Sequence, residues 1–297
     1  MLELDSAPRR PMRVWRQGIV LGLASFPKLI ALTTVLGFIG LLPTIYMAGE
    51  IGDAKVSPQS MLQLFRQGHF IFNMLLLQLL VLILSSFVNA LIIRRLDQTA
   101  RGTPRIPELG FALHKLPPLV LAGILGFITL VIGFAIAAII GAILGVVFGI
   151  IFGHAAVMVV TEACIFIAVI YIVINLLFFQ FAIVLDGKGP VGSLNHSCAL
   201  VFRNWWRTFL VLLCTVLIII GIVILVALPF AMVMPLAHWL PVTAAVDTGR
   251  SLLVKGVLKL MGAAIFMPFM MGILYVLYHD LKARYALRSA PTMAIQA

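Results

Sequence analysis

Apolar positions fall in six long blocks, separated by shorter stretches that hold most of the charge. Leu29 to Ala48, Phe70 to Ile93, Leu119 to Ile140, Val160 to Leu185, Phe209 to Met232 and roughly Gly256 to Tyr278 are the blocks. Each matches the roughly 20 apolar residues that a helix needs to cross hydrocarbon. The pattern predicts an all-α fold, a polytopic membrane bundle of six transmembrane helices.

The blocks pair into hairpins, and the hairpins repeat. Ala24-Ser25-Phe26-Pro27-Lys28-Leu29 leads into the first span, His114-Lys115-Leu116-Pro117-Pro118-Leu119 into the third and Arg203-Asn204-Trp205-Trp206-Arg207 into the fifth. The intervals are about ninety residues, a period to be sought before any other feature. Leu96-Asp97, Leu185-Asp186 and His279-Asp280 end the return helices, and Arg101, Lys188 and Lys282 follow them. The expectation is a single integral membrane domain over 1–297, with three hairpin repeats at approximately 13–97, 106–186 and 193–282 and a flexible tail at 283–297.

Ahead of each hairpin lies a mixed segment: Val14 to Leu23, Ile106 to Lys115 and Ser193 to Arg203. In the last, Leu194, Ser197/Cys198 and Val201/Phe202 share a helical spacing. The pattern predicts short cytoplasmic interfacial helices lying in the headgroup layer; the plainer alternative is solvated loop.

One apolar run is too long for a single span. From Leu119 it continues through Gly153, which as one helix would measure about 52 Å against hydrocarbon of about 30 Å. Residues 141–153 are expected to form a re-entrant or interfacial piece, the alternative being a helix that projects outward. Within this run Gly133, Ala137, Gly141, Gly145, Gly149 and Gly153 recur every four residues. Small residues at that spacing form a groove for close helix packing, either within the chain or against a second copy.

Composition confirms the class. Hydrophobic residues make up 63% and charged residues 10% of 297, and mean hydropathy is +1.17. No soluble core of this length buries so much apolar surface. The net charge of +11 would point to nucleic acid in a soluble chain, but here it reads as topology and attraction to anionic lipid, with no nucleic-acid partner. Arg9, Arg10, Arg13, Arg16 and Lys28, the Arg94–Lys115 loop, Lys188, Arg203 and Arg207, and the C-terminal Lys282, Arg284 and Arg288 share one side. They amount to sixteen basic residues, against five (Lys55, Arg66, Arg250, Lys255 and Lys259) on the other. The positive-inside rule then places both termini in the cytoplasm. No cleavable signal is expected at the N-terminus.

Candidate chemistry is sparse. Cys164, Cys198 and Cys214 form no ligand spacing, so neither a disulfide framework nor a metal site is expected. The scattered histidines make no metalloprotease motif, and no nucleophile elbow, phosphate loop or dinucleotide fingerprint occurs. No cofactor and no catalytic residue is predicted. Glu162 stands in an apolar run, where an acid is a functional candidate by default, although it lies close to the outer interface. Gln78, Ser85 and Asn89 align on the second span, and Tyr171 and Asn175 on the fourth; such residues mostly hydrogen-bond between helices. Pro229, Pro235 and Pro268 are candidate kinks in the last two spans. Arg94, Arg95, Arg203, Trp205, Trp206 and Arg207 are the candidate lipid-binding residues, since indoles and arginines favour the interface.

Leu185-Asp186-Gly187-Lys188-Gly189-Pro190, Ser193, Ser197 and Arg203-Asn204-Trp205-Trp206 give the chain a family likeness. It resembles the uncharacterised bacterial inner-membrane proteins of the YciC type. Those are similar in turn to the membrane domain attached to some glycerophosphodiester phosphodiesterases. No phosphodiesterase domain is present, so the resemblance implies a bacterial inner-membrane location and carries no activity. The expected function is a non-enzymatic inner-membrane protein that interacts with anionic lipid, in membrane homeostasis or assembly with a membrane-protein partner or a second copy. The alternatives are a transporter or channel for a small or lipid-like molecule, motivated by Glu162, and an enzyme acting on lipid, for which His154 and Glu162 are the nearest pair.

Overall fold

A computed structural model describes residues 9–51, 66, 68–103, 108–237 and 249–293. Among them all regular structure is helical: α1 Pro11–Ile51, α2 Gly68–Arg101, α3 Glu108–Phe152, α4 His154–Leu176, α5 Phe179–Asp186, α6 Pro190–Phe202, α7 Trp205–Ala237 and α8 Gly249–Met293. Six segments are long and apolar enough to cross a membrane, as in a multi-pass membrane protein: Pro11–Glu50, Gly68–Arg101, Glu108–Phe152, His154–Asp186, Trp205–Ile222 and Ala264–Arg288. They follow the order of the six apolar blocks. Lys55, Arg105, the start of the Ile106 segment and residues 294–297 of the expected tail lie outside the described residues.

The helices depart from expectation at four places. Val14 to Leu23 is the first part of α1, and the segment reaching Lys115 is the first part of α3. Pro27, Pro117 and Pro118 sit inside these helices without ending them. A proline removes one donor, and a long helix with packed neighbours tolerates the loss. Only the third mixed segment is a helix of its own, α6, outside the six spans. Gly187 explains the separation: its φ of +67° closes α5 in the left-handed region, which a residue without Cβ adopts freely. Pro190 then opens α6 at its first turn, where a missing N–H costs nothing.

The second departure is at residues 141–153, where no re-entry occurs. α3 continues to Phe152, and Gly153, with φ +88°, reverses the chain into α4. No proline interrupts the run from Leu119 to Phe152, and a residue without Cβ adopts the φ of the reversal at Gly153 without strain. The small-residue stripe faces α4. A Cβ added at Gly141 would lie 3.0 Å from Thr161 Cα, and one at Gly145 would lie 2.9 Å from the Val157 carbonyl oxygen. Thr161 Oγ1 donates to the Gly141 carbonyl at 3.1 Å.

Third, the fourth span is interrupted. Helix geometry lapses at Leu177–Phe178, between α4 and α5. Ser197 of α6 stitches the gap: its hydroxyl donates to the Asn175 carbonyl at 2.6 Å and accepts from the Phe178 N–H at 3.1 Å. Backbone groups freed at such a depth require partners from the protein itself. Fourth, α8 runs on past residue 282 to Met293.

Two compact units divide the chain, one with residues 10–113 and 210–276, the other with Arg9, 114–209 and 277 onward. In the first, α1 packs on α2, and α1 meets α8 at a glycine seam. A Cβ at Gly272 would lie 2.5 Å from the Gly18 carbonyl oxygen, and one at Gly22 would lie 2.9 Å from Phe269 Cα. Trp15 Nε1 donates to Thr215 Oγ1 at 2.9 Å, and Thr33 Oγ1 to the Ala264 carbonyl at 3.1 Å. In the second unit, Phe178, Phe181, Ile183, Leu200, Leu277, Tyr278 and Leu281 form a buried core. The Tyr278 ring stands 5.9 Å from that of Phe178 and 5.6 Å from that of Phe181. In its apolar 18-residue window the segment Ala264–Arg288 is 61% buried, against 33% or less for the other five, so this part of α8 is covered by protein more than they are.

The glycine seam yields a prediction. Gly272→Val forces backbone apart, and overpacking of this kind costs typically about 1–3 kcal/mol. It is expected to lower the thermal unfolding midpoint of detergent-solubilised protein. Gly40→Val, where nothing lies within 4 Å, is expected to leave it nearly unchanged.

Candidate functional site

The aspartates that end the three return helices are all held by donors. Asp97, at the end of α2, accepts Arg101 Nε at 2.8 Å and the Tyr275 hydroxyl at 2.8 Å. Asp186, at the end of α5, accepts Lys282 Nζ at 2.6 Å and the Tyr278 hydroxyl at 2.7 Å. Asp280, in α8, receives Arg207 Nη2 at 2.9 Å, Arg284 Nε at 3.0 Å and the Arg9 backbone N–H at 2.6 Å. The Arg9 carbonyl in turn accepts Arg207 at 2.6 Å and Arg284 at 2.8 Å. The Asp280 side chain is fully buried. Two guanidiniums and a peptide N–H take the place of water around it. Each carboxylate is engaged by at least two donors, as suits a structural latch.

His196 of α6 borders the Asp186 cluster. Its Nε2 lies 3.7 Å from Asp186 Oδ2, beyond hydrogen-bond length. Burial holds the imidazole below its ordinary value, with Lys188 adding to the effect, Asp186 opposing it and Lys282 adding again. Its ring also meets that of Tyr285 edge-on, 6.1 Å away.

The candidate lipid-binding arginines divide by what they touch. Arg95 donates to Glu108 at 2.7 Å and to the Lys28 carbonyl at 2.9 Å. Arg94 lies 4.7 Å over the Phe111 ring and 3.9 Å from Asp97. Arg207 belongs to the Asp280 latch. Arg203 is exposed and makes no hydrogen bond or ion pair among the described residues. Trp205 stacks on Phe209, rings 5.2 Å apart and 5° from parallel, and lies against Tyr171. Trp206 is 71% exposed. An outward cation and an outward indole thus stand together where α6 gives way to α7.

Beside them is a cavity of about 460 Å³. Its wall comprises Cys198, Ala199 and Phe202 of α6, Arg203 and Asn204 of the turn, and Tyr285 and Arg288 of α8. Arg288 reaches Asn204 Oδ1 at 3.4 Å, a weak bond that leaves most of its donors unused. Among the described residues no carboxylate lines the space. Burial raises the Cys198 thiol above its ordinary value, so it is a weak nucleophile at neutral pH.

The intramembrane polar candidates do not assemble a site within either unit. Glu162 is exposed on α4, and Asn175, thirteen positions on, donates to the Tyr171 carbonyl at 2.8 Å. Gln78 is exposed on α2, while Asn89, eleven positions on, has a buried side-chain oxygen without a hydrogen-bond partner. Steps of that size separate side chains by roughly 16 to 20 Å along a helix. His154 and Glu162 are both exposed and eight positions apart. No cluster of metal-ligating side chains occurs among the described residues. Sequence reasoning missed Tyr275, Tyr278, Tyr285 and Arg288. Tyr275, Tyr278 and Lys282 recur at helical spacing ahead of the basic end of α8, and that recurrence was the available signal.

Two predictions follow from the latches. Asp280→Asn leaves Arg207 and Arg284 uncompensated, a change that costs about 3–5 kcal/mol when a buried pair is broken, and is expected to abolish monodisperse elution or lower the melting midpoint sharply. For His196 the folded value lies below the unfolded one, so the unfolded chain binds the proton first. Stability is present above about pH 6.5 and is lost as pH falls through that value toward the folded one. Melting between about pH 7.5 and about pH 5.5 is expected to show a falling midpoint, and His196→Gln to flatten the slope.

No curated protein and no solved structure matches the chain. The family comparison does find a match, covering residues 29–281 and so all or part of every candidate span. The chain belongs to the family described as Domain of unknown function (DUF7847).

Proposed function

We propose that this is a non-enzymatic protein of the bacterial inner membrane that engages anionic lipid at its basic cytoplasmic end. Both termini lie in the cytoplasm in this reading, because sixteen basic residues fall on that side and five on the other. The likeness of 185–206 to YciC-type proteins belongs to the same reading and supports the inner-membrane location. A role in membrane homeostasis or in assembly with a partner fits a chain whose acids and histidines are engaged in latches or dispersed.

The observation that carries the proposal is the pair Arg203 and Trp206. Both are exposed at the start of α7, where the apolar segment Trp205–Ile222 begins. A cation without an internal partner beside an outward indole suits the headgroup layer, where a basic residue contributes about 1 kcal/mol of attraction to anionic lipid. Arg95 and Arg207 serve the fold, so the lipid contact of this reading is narrower than the basic residue count implies.

The test is native mass spectrometry of protein extracted with its surrounding bilayer, compared with bulk membrane lipid. Enrichment of anionic lipid is expected, and Arg203→Gln with Trp206→Ala is expected to reduce it about fivefold. Bound lipid that matches the bulk composition would overturn the proposal. A cytoplasmic reporter that is inactive at either terminus would overturn the orientation.

A further inference from the structure

We infer that the cavity between α6 and the C-terminal part of α8 is a binding site for the phosphomonoester headgroup of a lipid. The inference rests on the lipid reading above and deepens it, from a charged surface to one ligand in one place.

Charge is the first argument. Arg203 and Arg288 both line the cavity, and among the described residues no acid lines it to neutralise them. The nearby acids are occupied: Asp186 holds Lys282 and Tyr278, and Asp280 holds Arg9, Arg207 and Arg284. Two guanidiniums without a counter-ion call for an anion of charge close to −2. A phosphomonoester carries about −1.5 to −2 near neutral pH, whereas a phosphodiester headgroup carries one charge on its phosphate. Planar guanidinium forks also match phosphate oxygens in pairs, as a lysine does not.

Place is the second argument. Arg288 lies ten positions past Tyr278, among the basic residues that follow the last apolar block, and Trp205 is the first residue of Trp205–Ile222. The cavity therefore opens at the level where two spans meet the polar layer. Phe202 and Tyr285 are exposed there, 68% and 44% respectively. They supply an apolar and aromatic wall for the glycerol and the first acyl carbons. The volume of about 460 Å³ falls in the range of roughly 300–1,000 Å³ usual for small-molecule sites and admits a headgroup with its glycerol.

Cys198 lines the same cavity and so reports on its occupancy. The test uses the full chain with Cys164→Ala and Cys214→Ala, in phosphatidylcholine nanodiscs. The readout is the rate at which a neutral methanethiosulfonate modifies Cys198. A minor fraction of phosphatidic acid is expected to slow the reaction about tenfold. Phosphatidylglycerol at matched surface charge is expected to slow it far less. R203Q/R288Q is expected to remove the protection, and Arg94→Gln to keep it.

Protection that survives R203Q/R288Q would overturn the site. Equal protection by phosphatidylglycerol would also overturn it, while leaving the lipid reading intact as an effect of surface charge. Protection by soluble glycerol 3-phosphate equal to that by phosphatidic acid would overturn the lipid source in favour of a free phosphate ligand. Absence of anionic lipid enrichment in the extracted wild type is the separate failure of the lipid reading itself. Arg203 makes no internal ion pair, so the variant is expected to fold. If its elution is disturbed, R203K/R288K keeps the charge and removes the fork; partial protection is then expected, and full protection would overturn the role of the guanidiniums.

Discussion

A carboxylate at the end of a membrane-length helix must find donors or give up its charge, and three such carboxylates constrain this protein. Asp97 and Asp186 stand at the ends of α2 and α5 and Asp280 just past the apolar block of α8, and each is met by a basic residue plus a hydroxyl or a peptide N–H. The partners come from α8 for all three, from the start of α7 for Asp280 and from the α2 terminus for Asp97. Buried ion pairs of this kind are weak evidence for net stability, because desolvation offsets much of the attraction. Their geometric demand is strong, since removing one partner strands the other. Register is the property they determine: α8 cannot slide by a turn without separating Tyr275 from Asp97 and Tyr278 from Asp186.

The latches also decide which cations are left for other work. Counting arginines at a membrane surface overstates the surface available to lipid, because Arg95, Arg207 and Arg284 are engaged with acids and carbonyls. Arg203 and Arg288 are engaged with no acid among the described residues, and both border one cavity. A binding site can thus be located by subtraction: pair every acid with its donors, then see where uncompensated charge remains. It remains on Arg10, Arg13 and Arg16 around the start of α1, and at the junction of α6 and α7, where it borders a cavity and a mixed segment forms a helix separate from its span.

The spans were legible in the sequence because an apolar run of about 20 residues has few other uses. The aspartates were legible as a recurring mark at the ends of hairpins. Their partners were legible only when local. Arg101 meets Asp97 four residues away, as helix spacing suggests, but Asp186 takes Lys282 and not the adjacent Lys188, and Asp280 reaches across the chain to Arg207. Long-range pairing depends on how helices cross, which no local spacing encodes. Continuity was misjudged for a related reason: proline in α1 and α3 looked like a boundary, while the boundaries that matter are Gly153 and Gly187 with positive φ. Tyr285 and Arg288 were overlooked because they fall beyond the last apolar block, in residues read as tail.

The turn at Gly153 places the tip of the α3–α4 hairpin unusually far from its base. From Leu116 to Phe152 no residue of α3 is charged, a length of about 55 Å in a helix against hydrocarbon of about 30 Å. Ordinary spans accommodate excess length by tilting up to about 40°, and that tilt absorbs only part of this difference. Near the tip, Ile150, Ile151, Phe152 and Met158 are each more than two-thirds exposed. A hairpin of this length asks the surrounding bilayer to thicken, leans steeply, or carries its apolar tip past the hydrocarbon. Each carries an elastic or hydration cost, so the energy of this hairpin depends on the thickness of any bilayer that surrounds it.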